Sequence, residues 1–154
     1  MAFHADFMPS HAFTADPVAL GMTAHPEGGW YRETWRHRET VHTPRGERAL
    51  ATAVAFLLRP GECSAWHRVA SDELWLWQGG GVVRLTLGDD SDRPTPAADG
   101  QPVDLGPGGQ LLVPANVWQT AEPADGRAVL VACIVSPGFD FADFSLADPE
   151  EPAI

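Results

Sequence analysis

The chain has 154 residues, the length of one ordinary domain, and it contains fifteen glycines and fourteen prolines. Its formal net charge of −11, with no basic stripe, argues against binding to a nucleic-acid backbone. All ten basic residues are arginines, which excludes lysine-dependent chemistry such as Schiff-base formation, pyridoxal phosphate attachment or a phosphate-binding loop.

The two ends of the chain differ from its middle. Residues 1–16 lack hydrophobic periodicity and are expected to form a flexible arm, and residues 147–154 are expected to form an acidic tail. We see no signal peptide, no apolar run long enough to span a membrane and only two, widely separated cysteines. The sequence therefore predicts a soluble, cytoplasmic protein with one domain over residues 17–146.

In chain order, the first predicted element is a short helix beginning at Asp16 and Pro17, which are typical of a helix N-terminus. Short apolar or alternating segments separated by glycine and proline turns then predict about eight strands. These segments are 30–36, 50–58, 63–69, 73–77, 82–87, 110–113, 117–121 and 128–135. Residues 89–108 are predicted to be an exposed loop. This series of short strands favours a sandwich or barrel, with a jelly roll as the preferred version.

Two neighbouring strands contain the residues best suited to chemistry. Period-two alternation places His67 and Val69 on one strand face, and Glu73, Trp75 and Trp77 on one face of the next strand. A histidine and a glutamate directed into one barrel interior form either a metal site or a base with its orienting carboxylate. The alternative is a hydrogen-bonded interior histidine with a glutamate at a strand edge.

Further ligand-binding candidates lie on the same strands and on the first one. Trp75 and Trp77 are positioned to stack on a sugar, a nucleobase or another planar ligand, or else to pack in the core. Tyr31 is the only phenol in the chain, and an inward Arg32 would favour a ligand carboxylate or phosphate. Alternation allows only one of these two side chains to face the interior unless a bulge intervenes.

Two spaced motifs resemble those of the cupin superfamily. The first extends from Gly61 through His67 and Glu73 to Gly80, and the second extends from Gly108 to Gln119. The resemblance is greatest to the fifth cupin family, long catalogued as a domain of unknown function, and covers about residues 18–146. The segments that support it are HPEGGWYRET at 25–34, WHRV at 66–69, SDE at 71–73, VPANVWQ at 113–119 and PGFDF at 137–141.

This resemblance implies an all-β, double-stranded β-helix, or jelly roll, with a small-molecule ligand in a central pocket. It also implies a homodimer, and an open barrel of this kind has an edge that pairing would cover. Neither a nucleic-acid polymer nor a membrane is an expected partner.

The metal-ligand positions of this superfamily are altered in the chain. Metal-binding cupins carry histidines at the positions of His67, Val69 and Gln119, and a carboxylate at that of Glu73. Valine offers no lone pair, and a glutamine amide is a poor ligand for iron, manganese or zinc. His67, Glu73 and Gln119 would therefore hold a divalent ion only weakly, and no cofactor is expected.

The leading hypothesis is a small-molecule-binding cupin that acts as a metal-independent epimerase or isomerase on a polar, sugar- or nucleotide-like metabolite. In this hypothesis His67 is the general base, Glu73 orients its imidazole and Gln119 binds the substrate. Epimerase chemistry enters by analogy with metal-free sugar-nucleotide cupins. A metal-dependent oxygenase or lyase and a non-catalytic ligand-binding module are the alternatives.

Overall fold

The computed structural model describes residues 15–95 and 101–148, which form thirteen β-strands and one short 3-10 helix. The strands are β1 (Thr23–Ala24), β2 (Trp30–Arg36), β3 (Thr40–Thr43), β4 (Gly46–Ala49), β5 (Thr52–Leu58), β6 (Ser64–Val69), β7 (Asp72–Gly80), β8 (Val83–Leu87), β9 (Val103–Leu105), β10 (Gln110–Val113), β11 (Gln119–Pro123), β12 (Val129–Ser136) and β13 (Phe144–Leu146). The 3-10 helix covers Phe141–Asp143.

The strands form two large antiparallel sheets and one hairpin. The first sheet has the order β1-β2-β5-β12-β7-β10, the second has the order β13-β6-β11-β8-β9, and β3 pairs with β4. Phe56 and Trp75 of the first sheet pack with Leu85 and Ala121 of the second in one buried core. Alternating strands that bury one face between two sheets give the jelly roll that the sequence predicts.

All eight predicted strands overlap observed ones, but five short strands were missed, the first of them β1. The β3–β4 hairpin and β13 were not predicted, and β9 lies within the predicted loop 89–108, of which residues 96–100 lie outside the described residues. Most of the predicted arm and tail also lies outside them. Short strands bury few side chains, so their hydrophobic patterns are too weak to detect.

The predicted N-terminal helix does not form. The Asp16 carboxylate accepts a hydrogen bond from the Val18 N–H at 3.0 Å, but only turns follow, and Gly21 has a φ of +66°. Met22 is buried and β1 begins at the next residue, which leaves too little chain to repay the cost of starting a helix. In the described part of the chain, no helix is long and apolar enough to cross a membrane.

The segment after β12 is fixed by the β3–β4 hairpin. Arg48 Nε lies 2.8 Å from Asp143 Oδ2, Arg45 Nε lies 3.0 Å from Asp143 Oδ1, and the Asp143 side chain is 1% exposed. Hydrogen bonding by Arg48, with the charges of both arginines, lowers the pKa of Asp143 despite its burial. These ion pairs hold the 3-10 helix in place, with Phe139 before it and Phe144 after it.

Candidate functional site

A cavity of about 40 Å³ lies between the two sheets, and we call it the inner cavity. Its polar lining consists of Glu27, His67 and Glu73 with Tyr31 and His25, and most of the remaining wall is aromatic or aliphatic. This volume accommodates a few water molecules or the reacting end of a ligand, but not a whole metabolite.

His67, on β6, is 2% exposed and has a hydrogen-bond acceptor at each ring nitrogen. Nε2 lies 2.9 Å from Glu27 Oε2, and Nδ1 lies 2.7 Å from the Ala65 carbonyl oxygen. A neutral imidazole has one N–H, so both contacts are hydrogen bonds only when a further proton is shared between His67 and Glu27. Burial lowers the pKa of His67, but the charge and hydrogen bond of Glu27, with the charge of Glu73, raise it overall. His67 and Glu27 therefore hold a buried proton.

Glu73, on β7, is the second buried carboxyl of the cavity. Its Oε1 accepts hydrogen bonds from Gln119 Nε2 at 2.7 Å and from Trp75 Nε1 at 3.0 Å. Burial raises the pKa of Glu73 and the charge of Glu27 adds to the effect, which outweighs the opposing influence of His67 and the two donors. A fixed carboxyl with a raised pKa inside a cavity is suited to proton transfer.

Glu27 was not among the site residues predicted from the sequence, although it lies in the segment 25–34 that resembles the family. Glu27 lies in a turn where Gly28 has a φ of +102°, and a Cβ at Gly28 would overlap the Cys63 carbonyl oxygen. The Glu27 carbonyl oxygen accepts a hydrogen bond from the Ala65 N–H at 2.7 Å, which docks the turn on β6. The paired glycines were the available signal, but only the docked turn brings this carboxylate to His67.

His25 lies at the start of the same turn, next to Glu27. Its Nδ1 accepts a hydrogen bond from the Glu27 N–H at 3.1 Å and its ring meets Tyr31 edge-on, with centroids 4.7 Å apart. Burial lowers the pKa of His25, which outweighs the charge of Glu27. His25 is therefore neutral near pH 7, and His67 is the imidazole that holds the extra proton.

The structure brings four predicted residues to the inner cavity and corrects one assignment among them. His67, Glu73, Trp75 and Tyr31 line the cavity. The carboxylate bonded to His67 is Glu27, so the expectation that Glu73 orients the imidazole is wrong. Glu73 instead accepts its hydrogen bonds from a tryptophan and an amide.

Three other predicted ligand-binding residues lie elsewhere. Arg32 is exposed, because Tyr31 takes the inward position and neighbouring side chains on a strand point to opposite faces. Gln119 is 1% exposed, but its amide is engaged with Glu73 and with Trp75 Nε1, so it positions the carboxyl rather than lining the cavity. Trp77 lies two residues beyond Trp75 on β7 and donates to the Gly81 carbonyl oxygen at 2.7 Å, outside the cavity wall.

The donor set does not fit a transition-metal ion. Val69, at a position where metal-binding cupins carry histidine, is a buried hydrocarbon, and the Gln119 amide is already engaged. Both nitrogens of His67 face protein acceptors. Across residues 15–95 and 101–148, no three His, Cys, Asp or Glu side chains are grouped to hold a metal. The geometry therefore leaves too few free donors for tight binding.

We expect the purified protein, after dialysis, to contain far less than one equivalent of iron, manganese or zinc in elemental analysis. The double variant Val69→His/Gln119→His adds two imidazole donors and is expected to raise the metal content. Val117→His, which adds a histidine outside the donor positions, is the control. Stoichiometric, tightly held metal in the unmodified protein would contradict this prediction.

The shared proton of His67 and Glu27 predicts a spectroscopic signature. Nitrogen-15 NMR at pH 6 is expected to show both ring nitrogens of His67 protonated, because its pKa lies above the ordinary 6.5. In Glu27→Gln the carboxylate is lost while burial remains, so His67 is expected to become neutral at the same pH. The signals of the exposed His42 are expected to be the same in both proteins and serve as the internal control. A neutral His67 in the wild type would overturn the assignment.

The same proton predicts how stability depends on pH. The pKa of folded His67 lies above the ordinary value of 6.5. Its contribution to the free energy of unfolding is therefore fully present below pH 6.5 and is lost as the pH rises through the raised pKa. The raised pKa of Glu73 acts in the same direction, whereas the lowered pKa of His25 disfavours the fold only below about pH 6.5. Urea unfolding is therefore expected to give a lower stability at pH 8.5 than at pH 6.5, with a smaller difference in Glu27→Gln.

Comparisons with known proteins agree with this architecture. A family model described as "Cupin superfamily (DUF985)" matches residues 18–147. A hypothetical protein from Leishmania major is 31% identical, with 83% of this chain and 82% of that chain covered and a TM-score of 0.69. A protein from Shewanella oneidensis is 32% identical, with 82% and 78% covered and the same TM-score.

More distant structures share the fold alone. Oxalate decarboxylase from Bacillus subtilis is 20% identical, with 80% of this chain and 29% of that chain covered and a TM-score of 0.58. A comparison with curated proteins finds no match.

Proposed function

The chain belongs to the fifth family of the cupin superfamily, and from this premise we propose that it binds a small polar metabolite in the inner cavity and catalyses metal-independent proton transfer beside a carbonyl group. This is the chemistry of an epimerase or isomerase. The supporting observation is a buried His67–Glu27 pair, with Nε2 2.9 Å from Oε2, located in the same small cavity as the buried carboxyl of Glu73.

The geometry favours Glu73 as the group that takes the proton from carbon. Its raised pKa makes the ionised form a stronger base than an exposed carboxylate. Gln119 and Trp75 both donate to the same oxygen, which fixes the orientation of the carboxyl group. A base held in one orientation does not lose entropy when the substrate reacts.

His67 is then the electrophilic partner rather than the general base. The resting hydrogen bonds occupy both of its nitrogens, so it has no free lone pair for a substrate proton. Its positive charge, retained by Glu27, stabilises the negative charge that develops on the substrate oxygen when the C–H bond is broken. In this proposal Glu27 is a positioning residue, and Tyr31 contributes a phenol at the cavity wall.

The experiment that tests this function is solvent exchange at carbon. The protein is incubated in D₂O with a panel of aldoses, ketoses and 2-hydroxy carbonyl compounds, and proton NMR follows deuterium incorporation beside the carbonyl. We expect exchange with at least one compound, in the absence and in the presence of a chelator. His42→Gln, a change at an exposed histidine, serves as the active control. Saturable binding without exchange would instead support a non-catalytic ligand-binding module.

A further inference from the structure

A second cavity of about 280 Å³ adjoins the inner cavity, and we call it the outer cavity. Tyr31, Val54 and Phe139 line both, so these three side chains form the boundary between them. The outer volume is close to the lower limit of small-molecule sites, about 300 Å³. A ligand whose reacting end fills the inner cavity therefore has its remaining atoms in the outer one.

The walls of the outer cavity combine aromatic rings with hydrogen-bonding groups. Phe139 and Phe141 meet edge-on with centroids 4.9 Å apart, and Phe141 is 49% exposed beside the cavity. Glu33 and Arg36, paired at 2.8 Å, lie on the same wall. Carboxylates accept hydrogen bonds from ligand hydroxyl groups, and guanidinium groups donate hydrogen bonds to the oxygens of those hydroxyls. Aromatic faces pack against the C–H surfaces of a ligand.

The charged side chains around the outer cavity disfavour an anionic ligand. Among the residues that the structure describes, the outer cavity is lined by one arginine, Arg36, and by the carboxylates of Glu33 and Asp140. The adjoining groove adds Arg48, which is committed to the buried Asp143. It also adds Arg38, His37 and the carboxylate of Glu47. A phosphate would therefore meet carboxylates as well as cations, whereas an uncharged group with several hydroxyls would find both donors and acceptors.

We propose that the outer cavity binds the polyhydroxylated body of a neutral sugar, whose carbonyl end enters the inner cavity between Tyr31 and Phe139. This inference rests on the proposed function and specifies its substrate class as an unphosphorylated monosaccharide. The aromatic face of Phe141 and the hydrogen-bonding groups of Glu33 are the binding elements that lie outside the reacting centre.

Binding is tested separately from catalysis by calorimetric titration with D-fructose, D-xylose and D-fructose 6-phosphate. We expect the wild type to bind a neutral sugar, and to bind the phosphate ester at least threefold more weakly. Phe141→Ala is expected to weaken sugar binding roughly fivefold, since an aromatic contact contributes on this scale. Leu112→Ala, a similar truncation of an exposed side chain on β10, is expected to leave binding unchanged. Glu33→Ala, at an exposed position, provides a second variant in case Phe141→Ala fails to fold.

The outcomes separate the two proposals. Equal or tighter binding of the phosphate ester, no sugar binding, or wild-type affinity in both variants would overturn the outer-cavity inference. Sugar binding that is weakened by Phe141→Ala but gives no deuterium exchange would overturn the proposed catalysis and leave this inference standing. Exchange confined to short carbonyl compounds without a polyhydroxylated body would overturn the outer-cavity inference and leave the proposed catalysis standing.

Discussion

Glu73→Gln is expected to lower the rate of carbon-bound deuterium exchange by roughly 10²–10⁴-fold, the usual contribution of a positioned acid or base. The amide oxygen can replace Oε1 as acceptor for Gln119 and Trp75, so the fold is expected to be retained. Removing a buried carboxyl with a raised pKa also removes a desolvation cost, and the melting temperature should be equal or higher. The loss of activity should therefore occur without a loss of stability.

This prediction is measured by proton NMR on whichever compound the wild type exchanges, with thermal unfolding followed in parallel. Glu122→Gln makes the same chemical change at an exposed carboxylate on β11, away from both cavities, and should retain the wild-type rate. Exchange by Glu73→Gln at the wild-type rate would eliminate Glu73 as the base. Glu27→Gln should lower the rate too, and NMR should show the accompanying loss of the proton on His67.

Asp143→Ala is expected to lower the melting temperature by roughly 10 °C, because it leaves Arg48 without its main partner in a buried environment. The Asp143 side chain is 1% exposed, and two arginines from one hairpin converge on it. The same change frees the segment that contains Phe139 and Phe144, so ligand affinity should fall as well.

A matched surface pair provides the control. Arg84 and Asp104 lie 2.8 Å apart but are more than two-fifths exposed, and Asp104→Ala should lower the melting temperature by no more than about 3 °C. Arg48→Met in the Asp143→Ala background removes the unpaired charge and should recover part of the loss. Equal effects of Asp143→Ala and Asp104→Ala in calorimetry would show that burial adds nothing to this ion pair.

How far the sequence predicted the site differs from residue to residue. His67, Glu73 and Trp75 were predicted to share one interior because strand alternation and motif spacing fix which face they occupy. Alternation also restricted Tyr31 and Arg32 to one inward residue but could not choose between them. Trp77 was placed on the correct face, yet alternation gives no information about where along a strand a cavity ends.

The partner of His67 illustrates what a linear pattern omits. Glu27 lies forty residues before His67, in a turn with no strand or helix periodicity. Its carboxylate reaches the imidazole only because the two-glycine turn packs against the start of β6. The sequence therefore suggested the nearer glutamate, Glu73, as the orienting carboxylate.

The sequence by itself determined the fold class, the interior faces of β6 and β7, and the absence of two of the imidazole ligands that metal-binding cupins carry. These depend on local alternation, turn residues and the identity of single side chains. Only the tertiary structure showed that Glu27 is the carboxylate in contact with His67, that the Gln119 amide is hydrogen-bonded to Glu73, and that an outer cavity continues from the inner one. The reason is physical, since hydrogen-bond partners and cavities depend on distances between segments remote in sequence, which no local pattern encodes.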